Sequence, residues 1–243
     1  MIYLYVLIGV FGVRFWYEKR RAGDRKQSKT MSIACIAVLS LLPTVTYAHT
    51  LCKDSEKMKD HQVNQFLDMH NYRRLMLAKG EVIKGNKNYM PQGANIQKLS
   101  YNCSLEEAAI ARAEDCFQTE TELDPDVGEN TAQVTLSSAP NKLTAIKNGV
   151  TSWWKQSRTG PNIGNQVYYR TIHTPSANFA TMAWATTSEI GCAVNKCSNF
   201  YAVVCQYAPS EVEIEQQIYK PGTPCSSCPS EFPTCVDGAL CGP

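Results

Sequence analysis

The thirty residues from Asn178 to Tyr207, NFATMAWATTSEIGCAVNKCSNFYAVVCQY, constrain the fold more than any other stretch, because they concentrate aromatic and β-branched side chains with three cysteines. Runs rich in Val, Ile, Phe, Tyr and Trp cover Phe179–Trp184, Ile190–Val194 and Tyr201–Tyr207. Polar turn material, Thr186-Thr187-Ser188 and Asn195-Lys196, parts them, so the pattern predicts short strands. In the last run Tyr201, Val203, Cys205 and Tyr207 share one face and Ala202, Val204 and Gln206 the other, which makes that strand apolar on nearly both sides. Such a sheet needs a cover on each face, and the cover falls to helices elsewhere in the chain.

Periodicity supplies those helices. From about Glu56 to Lys79, Val63, Phe66, Leu67, His70 and Leu77 form one stripe, and Gly80 closes it. His70 on that stripe reads either as a ligand or base, or as a core histidine bonded to backbone, and its apolar neighbours favour the core role. Arg73 in the HNYRR segment is expected to salt-bridge or cap locally. Residues 81–100, rich in Asn, Gly and Lys and including Met90-Pro91, read as a long surface loop. Ser104 and Glu107 form a capping box ahead of Leu105, Ala108, Ala109 and Cys116, predicting a second helix with a small-residue face. Asn102-Cys103-Ser104 is the chain's one glycosylation sequon, and a bridged Cys103 argues against its occupancy. A third helix is predicted from near Pro140, with Leu143, Ile146, Val150, Trp153 and Trp154 on one side, ending before Arg158-Thr159-Gly160-Pro161.

Residues 1–48 read as a leader. Apolar runs at Met1–Tyr17 and Ile33–Leu42 flank the basic segment EKRRAGDRKQSK, and Met31–Ala48 has the basic flank, short apolar core and small-residue ending of a secretory signal. Cleavage after Ala48 is expected, with Met31 as the real start or residues 1–30 as part of a long leader. A retained anchor is the third alternative, but neither apolar run reaches the roughly 20 residues of a spanning helix. The leader holds seven of the 24 basic and two of the 22 acidic residues, leaving 17 against 20, a net of −3. That mild acidity offers no footing for nucleic acid and no polybasic membrane patch. Of 11 cysteines Cys35 lies in the leader, and the ten that remain suit disulfides in an oxidising compartment, hence a secreted, extracellular product. After Pro209 the composition changes to a tail with Cys225, Cys228, Cys235 and Cys241. Its Cys-x-x-Cys reads as half a zinc site, a redox pair or, best suited to a secreted chain, part of two structural disulfides whose pairing spacing does not give.

NFATMAW followed by GCAV, KCSN and YAVVCQYAP resembles the end of the CAP domain of cysteine-rich secretory proteins, antigen 5 and pathogenesis-related proteins. The tail segment IYKPGTPCSSC is similar to the nematode activation-associated secreted proteins of hookworm type, venom-allergen-like members of that superfamily. The resemblance covers residues 52–243. It implies an α+β chain, a three-layer α-β-α sandwich over residues 49–209 with a short disulfide-rich tail over 210–243. It pairs Cys192 with Cys205 and Cys116 with Cys197. Cys52 is then left for Cys103, and the four tail cysteines for one another. The superfamily's cavity of two histidines and two glutamates, able to hold zinc, maps here onto Glu120, Glu129 of the GEN motif, Gln156 and Asn178, so one of four positions keeps its residue. Amides are poor zinc donors, and the expectation is a polar, hydrogen-bonded cavity with no metal or other cofactor.

HExxH, GxSxG, P-loop and dinucleotide glycine patterns are absent, and the cysteines belong to a disulfide framework, so no enzyme is expected. His173, in the loop GPNIGNQVYYRTIHTPSA, is expected to be solvated. Two functions follow. One is a non-enzymatic, immunomodulatory-type protein engaging extracellular proteins or receptors. The other is a sterol or lipid carrier, since some superfamily members bind sterols through an aromatic loop, at the place held here by Val167, Tyr168 and Tyr169.

Overall fold

The computed structural model describes residues 57–120 and 122–243, Cys52, and two amino-terminal strands. The signal segment Met31–Ala48, its cleavage point and Cys35 lie outside the described residues. Strands Leu4–Gly9 (β1) and Gly12–Tyr17 (β2) pair antiparallel, with Leu4 opposite Tyr17, inside a unit of residues 1–46.

Residues 47–243 form the second unit. Its first helix, α1 (Asp60–Ala78), buries Val63, Phe66, His70, Arg74 and Leu77 along one face, and Gly80 at φ +74° supplies the left-handed turn that ends it. Strand β3 (Ser100–Tyr101) leads into α2 (Cys103–Glu114). The cap of α2 is Asn102, not the expected Ser104. The Asn102 Oδ1 accepts from Ser104 N at 2.9 Å and Leu105 N at 3.2 Å, and Asn outcompetes a later Ser because its carbonyl reaches both orphan amides. Strand β4 (Gly128–Thr135) follows, then α3 (Lys142–Thr159), capped by Asn141. Tyr168–Tyr169 is β5.

Residues Ala177–Ala183 form a helix, α4, which corrects the expected strand at Phe179–Trp184. Phe179, Ala180, Thr181, Met182 and Ala183 are all buried. A short segment enclosed on every side shows neither a helical nor an alternating apolar pattern, so the period that would distinguish the two is lost. The other two runs are strands, β6 (Glu189–Lys196) and β7 (Phe200–Ala208). Gln216–Gln217 (β8) pairs with β5, and Thr234–Val236 (β9) pairs with Leu240–Gly242 (β10).

The main sheet has the order β3-β6-β7-β4, parallel between β3 and β6 and antiparallel elsewhere. Register assigns the faces. Gly191, Asn195, Gln206 and Glu129 lie toward α2, where Asn195 Nδ2 donates to Ala113 O and a Cβ on Gly191 would overlap Glu106 N and Leu105. Ile190, Cys192, Val203, Tyr207 and Asn130 lie on the opposite face, where His70 of α1 meets Tyr207 and Gly149 of α3 packs on Val203. This unit is thus a helix–sheet–helix sandwich with a mixed sheet.

A second apolar cluster lies beside the sheet core. Val82, Met90 and Ile96 of the expected surface loop join Phe179 and Trp184 with Ile218, Tyr219 and Leu240 from beyond Pro209. The stretch 81–99 carries single bridges, such as Ile83 with Tyr89, in place of a helix or extended strand, yet is internal in part, because Lys98 N donates to Cys241 O and Cys241 N to Ile96 O. Five disulfides staple the unit: Cys52–Cys103, Cys116–Cys197, Cys192–Cys205, Cys225–Cys235 and Cys228–Cys241. Cys192 and Cys205 are directly opposed in the β6–β7 ladder, with Cα atoms 4.1 Å apart.

Candidate functional site

The four cavity positions do not form one bonded set. Glu120 is exposed on the loop after α2, and Glu129 sits near the start of β4 on the α2 face. Gln156 belongs to α3 and Asn178 to α4. No hydrogen bond joins any two of them, so the expected closed set of amides and carboxylates is replaced by separate partners. Gln156 Oε1 accepts from Phe179 N at 3.1 Å and fixes the entry to α4. The Asn178 carbonyl accepts from Asn130 Nδ2 at 2.9 Å.

Glu129 carries the local charge, and its neighbours come from residues that motif reading passed over. Gln206 Nε2 donates to Glu129 Oε2 at 3.1 Å across the β4–β7 ladder, and Arg112 Nε lies 3.4 Å from Glu129 Oε1. The Arg112 guanidinium is itself fixed by Thr119 O at 2.6 Å, by Asp115 Oδ2 at 3.4 Å and by the Phe117 ring, whose centroid is 5.0 Å away. Hydrogen bonds from Thr119 hold the Asp115 carboxyl below the usual carboxylate range, with Arg112 assisting. Cys116 and Phe117 adopt left-handed backbone at φ 53° and 61°, folding the turn so that these groups meet.

On the other face a buried polar chain begins at His70, which is fully enclosed. Its Nδ1 donates to Phe66 O at 2.7 Å, since a carbonyl can only accept, and Nε2 therefore accepts from the Tyr207 hydroxyl at 2.9 Å. The Tyr207 oxygen in turn accepts from Asn130 Nδ2 at 3.3 Å, while the buried Asn130 Oδ1 has no partner among the described residues. Desolvation lowers the His70 pKa to about 3, with the nearby cations Arg73 and Arg74 adding to it against the Phe66 bond. A histidine held neutral and bonded at both nitrogens is a core member, not a base facing substrate.

Arg74 is a buried cation with no carboxylate partner among the described residues. Its Nε donates to Gln97 O, Nη1 to Met182 O and Trp184 O, and Nη2 to Ala185 O and Thr187 O, at 2.7 to 3.3 Å. Burial pulls its pKa down to about 9. The adjacent Arg73 has no salt bridge among the described residues, but donates to Met69 O and to Thr151 Oγ1 on α3.

In the aromatic loop Val167 is fully buried and Tyr169 is buried edge-on to Trp184. Tyr168 alone is exposed, with the Arg170 guanidinium 6.0 Å above its ring. His173, expected in solvent, is buried, and its Nδ1 accepts from Arg170 N at 3.0 Å. The short 3-10 turn Thr171–Ser176 turns the side chain inward, which a reading of loop composition does not register.

Comparison with known proteins agrees with this architecture. The family model described as CAP, cysteine-rich secretory protein family, matches residues 67–207. The chain belongs to the CAP family. This CAP chain is 31% identical over 180 residues to hookworm platelet inhibitor 1 of Ancylostoma caninum, covering 74% of the chain and 79% of that protein. It is 30% identical over 208 residues to Ancylostoma secreted protein of the same species, covering 82% of the chain and 48% of the relative, so it spans about half of that protein's length. Among solved structures, Na-ASP-1 aligns with a TM-score of 0.73 at 28% identity over 79% of this chain and 50% of that one. NaASP2 with Zn2+ aligns with a TM-score of 0.67 at 27% identity over 72% and 93%.

The CAP fold implies a zinc-capable centre, and the residues here do not fit one. Both Glu129 oxygens are engaged, by Gln206 and by a guanidinium that repels a second cation. Gln156 spends its carbonyl on a backbone amide, and no imidazole stands at the two histidine positions. Among the described residues no group of three or more His, Cys, Asp or Glu is placed to hold a metal. None of the described helices is long and apolar enough to cross a membrane.

Proposed function

We propose that this CAP-family chain is a secreted, non-enzymatic protein of immunomodulatory type that works by binding other proteins outside the cell. The observation that carries the reading is that the candidate polar groups on both faces of the sheet and in the aromatic loop are committed internally. Glu129 is held by Arg112 and Gln206, His70 by Phe66 and Tyr207, and His173 by Arg170, which leaves the described surface as the working part. Five disulfides suit an extracellular setting. Relatives named as a platelet inhibitor and a peptidase inhibitor are consistent with action by protein binding. A sterol-carrier role would rest on Tyr168 alone, because Val167 and Tyr169 are spent in the core.

The test uses protein secreted from eukaryotic cells, labelled and applied to platelets and leukocytes in flow cytometry. Saturable binding, competed by unlabelled protein, is expected. No saturable binding at about 1 μM, or hydrolytic activity toward peptide or ester substrates, would overturn the proposal.

A further inference from the structure

Exposed apolar residues gather beside the amino-terminal helix. Tyr72, on the outward face of α1, is 60% exposed. Tyr89, equally exposed, is the cross-strand partner of the exposed Ile83 in the hairpin that follows α1. Tyr72 and Ile83 line a groove of about 290 Å³ at α1 and α3, together with Met76, Trp154, Arg73 and Arg158. Glu81 is the one carboxylate in the lining, and no ion pair joins it to either arginine. Arg73 bonds only to uncharged acceptors, and the exposed Arg158 has no side-chain partner among the described residues. Residues 49–243 carry a net charge of −3, so a groove with two guanidiniums against one carboxylate runs against the charge of its own chain. Tyr, Trp, Met and Arg are the residue types on which protein contacts concentrate.

We propose that this groove docks another protein, through an extended segment that carries an acidic side chain beside an aromatic or aliphatic one. The carboxylate pairs with Arg158 and the Arg73 side of the groove, and the apolar side chain seats against Tyr72, Ile83 and Met76. Charge complementarity selects the acidic segment: a basic one would bring like charge to both guanidiniums. The proposal rests on the reading of the chain as an extracellular interaction protein, and adds the surface and the charge of what it binds.

The probe is the tetrapeptide acetyl-Asp-Phe-Glu-Leu-amide, with acetyl-Lys-Phe-Lys-Leu-amide as control, titrated into isotope-labelled protein and followed by amide NMR shifts. The acidic peptide is expected to bind with a Kd of about 1 mM and to shift residues around Tyr72, Ile83 and Arg158. Tyr72→Ala and Arg158→Gln, whose spectra elsewhere report an intact fold, are each expected to weaken it about tenfold. Equal binding of the basic control, shifts centred elsewhere, or no shifts at about 10 mM peptide would overturn the proposal. Octanoate filling the groove where the peptide does not would assign it to a small amphiphile, and also overturn it. Cell binding that survives both substitutions would remove the groove while leaving the interaction reading standing. Failure of the wild type to bind cells would sink that reading instead.

Discussion

His70 predicts a specific acid sensitivity. In the unfolded chain an imidazole titrates near its ordinary value of 6.5, whereas in the folded chain burial holds it at about 3. The unfolded state therefore binds the extra proton across that window, and the folded state does not. Stability contributed by neutral His70 is complete above pH 6.5 and is lost as the pH falls toward 3. At pH 4 the loss works out to about 3 kcal/mol, from about 1.4 kcal/mol for each pH unit over which the two states differ. Protonation would also put a proton on Nε2, where the Tyr207 hydroxyl now donates, so that bond must reverse and the hydroxyl hydrogen must turn elsewhere. The assay is guanidinium unfolding with disulfides intact at pH 7 and pH 4, for wild type and for His70→Gln, which keeps a donor and an acceptor but does not titrate. Carboxylate contributions are common to both proteins and cancel in the difference. Wild type is expected to lose about 3 kcal/mol more than the variant. Parallel losses in the two proteins would refute the argument.

Arg74→Lys is expected to cost at least about 3 kcal/mol in the same unfolding assay, because three ammonium donors cannot serve the five carbonyls that the guanidinium now satisfies. On the alkaline side, burial raises the phenols of Tyr101, Tyr207 and Tyr219, which stay neutral when folded but ionise near pH 10 when unfolded. Stability is thus expected to fall above pH 10 by about 1.4 kcal/mol per unit per phenol, with Arg74, lowered to about 9, opposing as one group against three. Calorimetric titration with zinc is expected to show no binding at the Glu129 site, and Glu120→His, Gln156→Glu and Asn178→His together are not expected to restore it while Arg112 stays; micromolar binding lost in Glu129→Ala would contradict both.

The parts of the fold legible in the sequence are those with a one-sided stripe or a strong β composition. The stripe Val63, Phe66, His70 and Leu77 announced α1, and the β-branched and aromatic residues from Tyr201 to Tyr207 announced β7, which is buried on both faces. Arg74 lies four residues after His70 on that same stripe, so its spacing already marked it as buried, but a charged residue is ordinarily read as solvated. What no local pattern could supply were its acceptors, which come from residues 97 and 182–187. The internal half of the 81–100 loop was hidden for a similar reason. Val82, Met90 and Ile96 stand singly or in short pairs within a polar stretch, with no helical or strand period, and groups that cover them arrive from the tail.

The central site shows the same division between what a position keeps and what surrounds it. Motif alignment locates Glu129 but says nothing about Arg112 and Gln206, because they reach it from α2 and β7. A nearly buried carboxylate needs compensation, since an unpaired charge in that setting is costly. Arg112 provides it from within the chain, and the turn at Cys116 and Phe117, tied to the sheet by Cys116–Cys197, holds the guanidinium in place. Arg112 and Gln206 together therefore engage both Glu129 oxygens. With both Glu129 oxygens engaged within the chain, the proposed docking falls to side chains left uncommitted among the described residues, as at Tyr72 and Arg158.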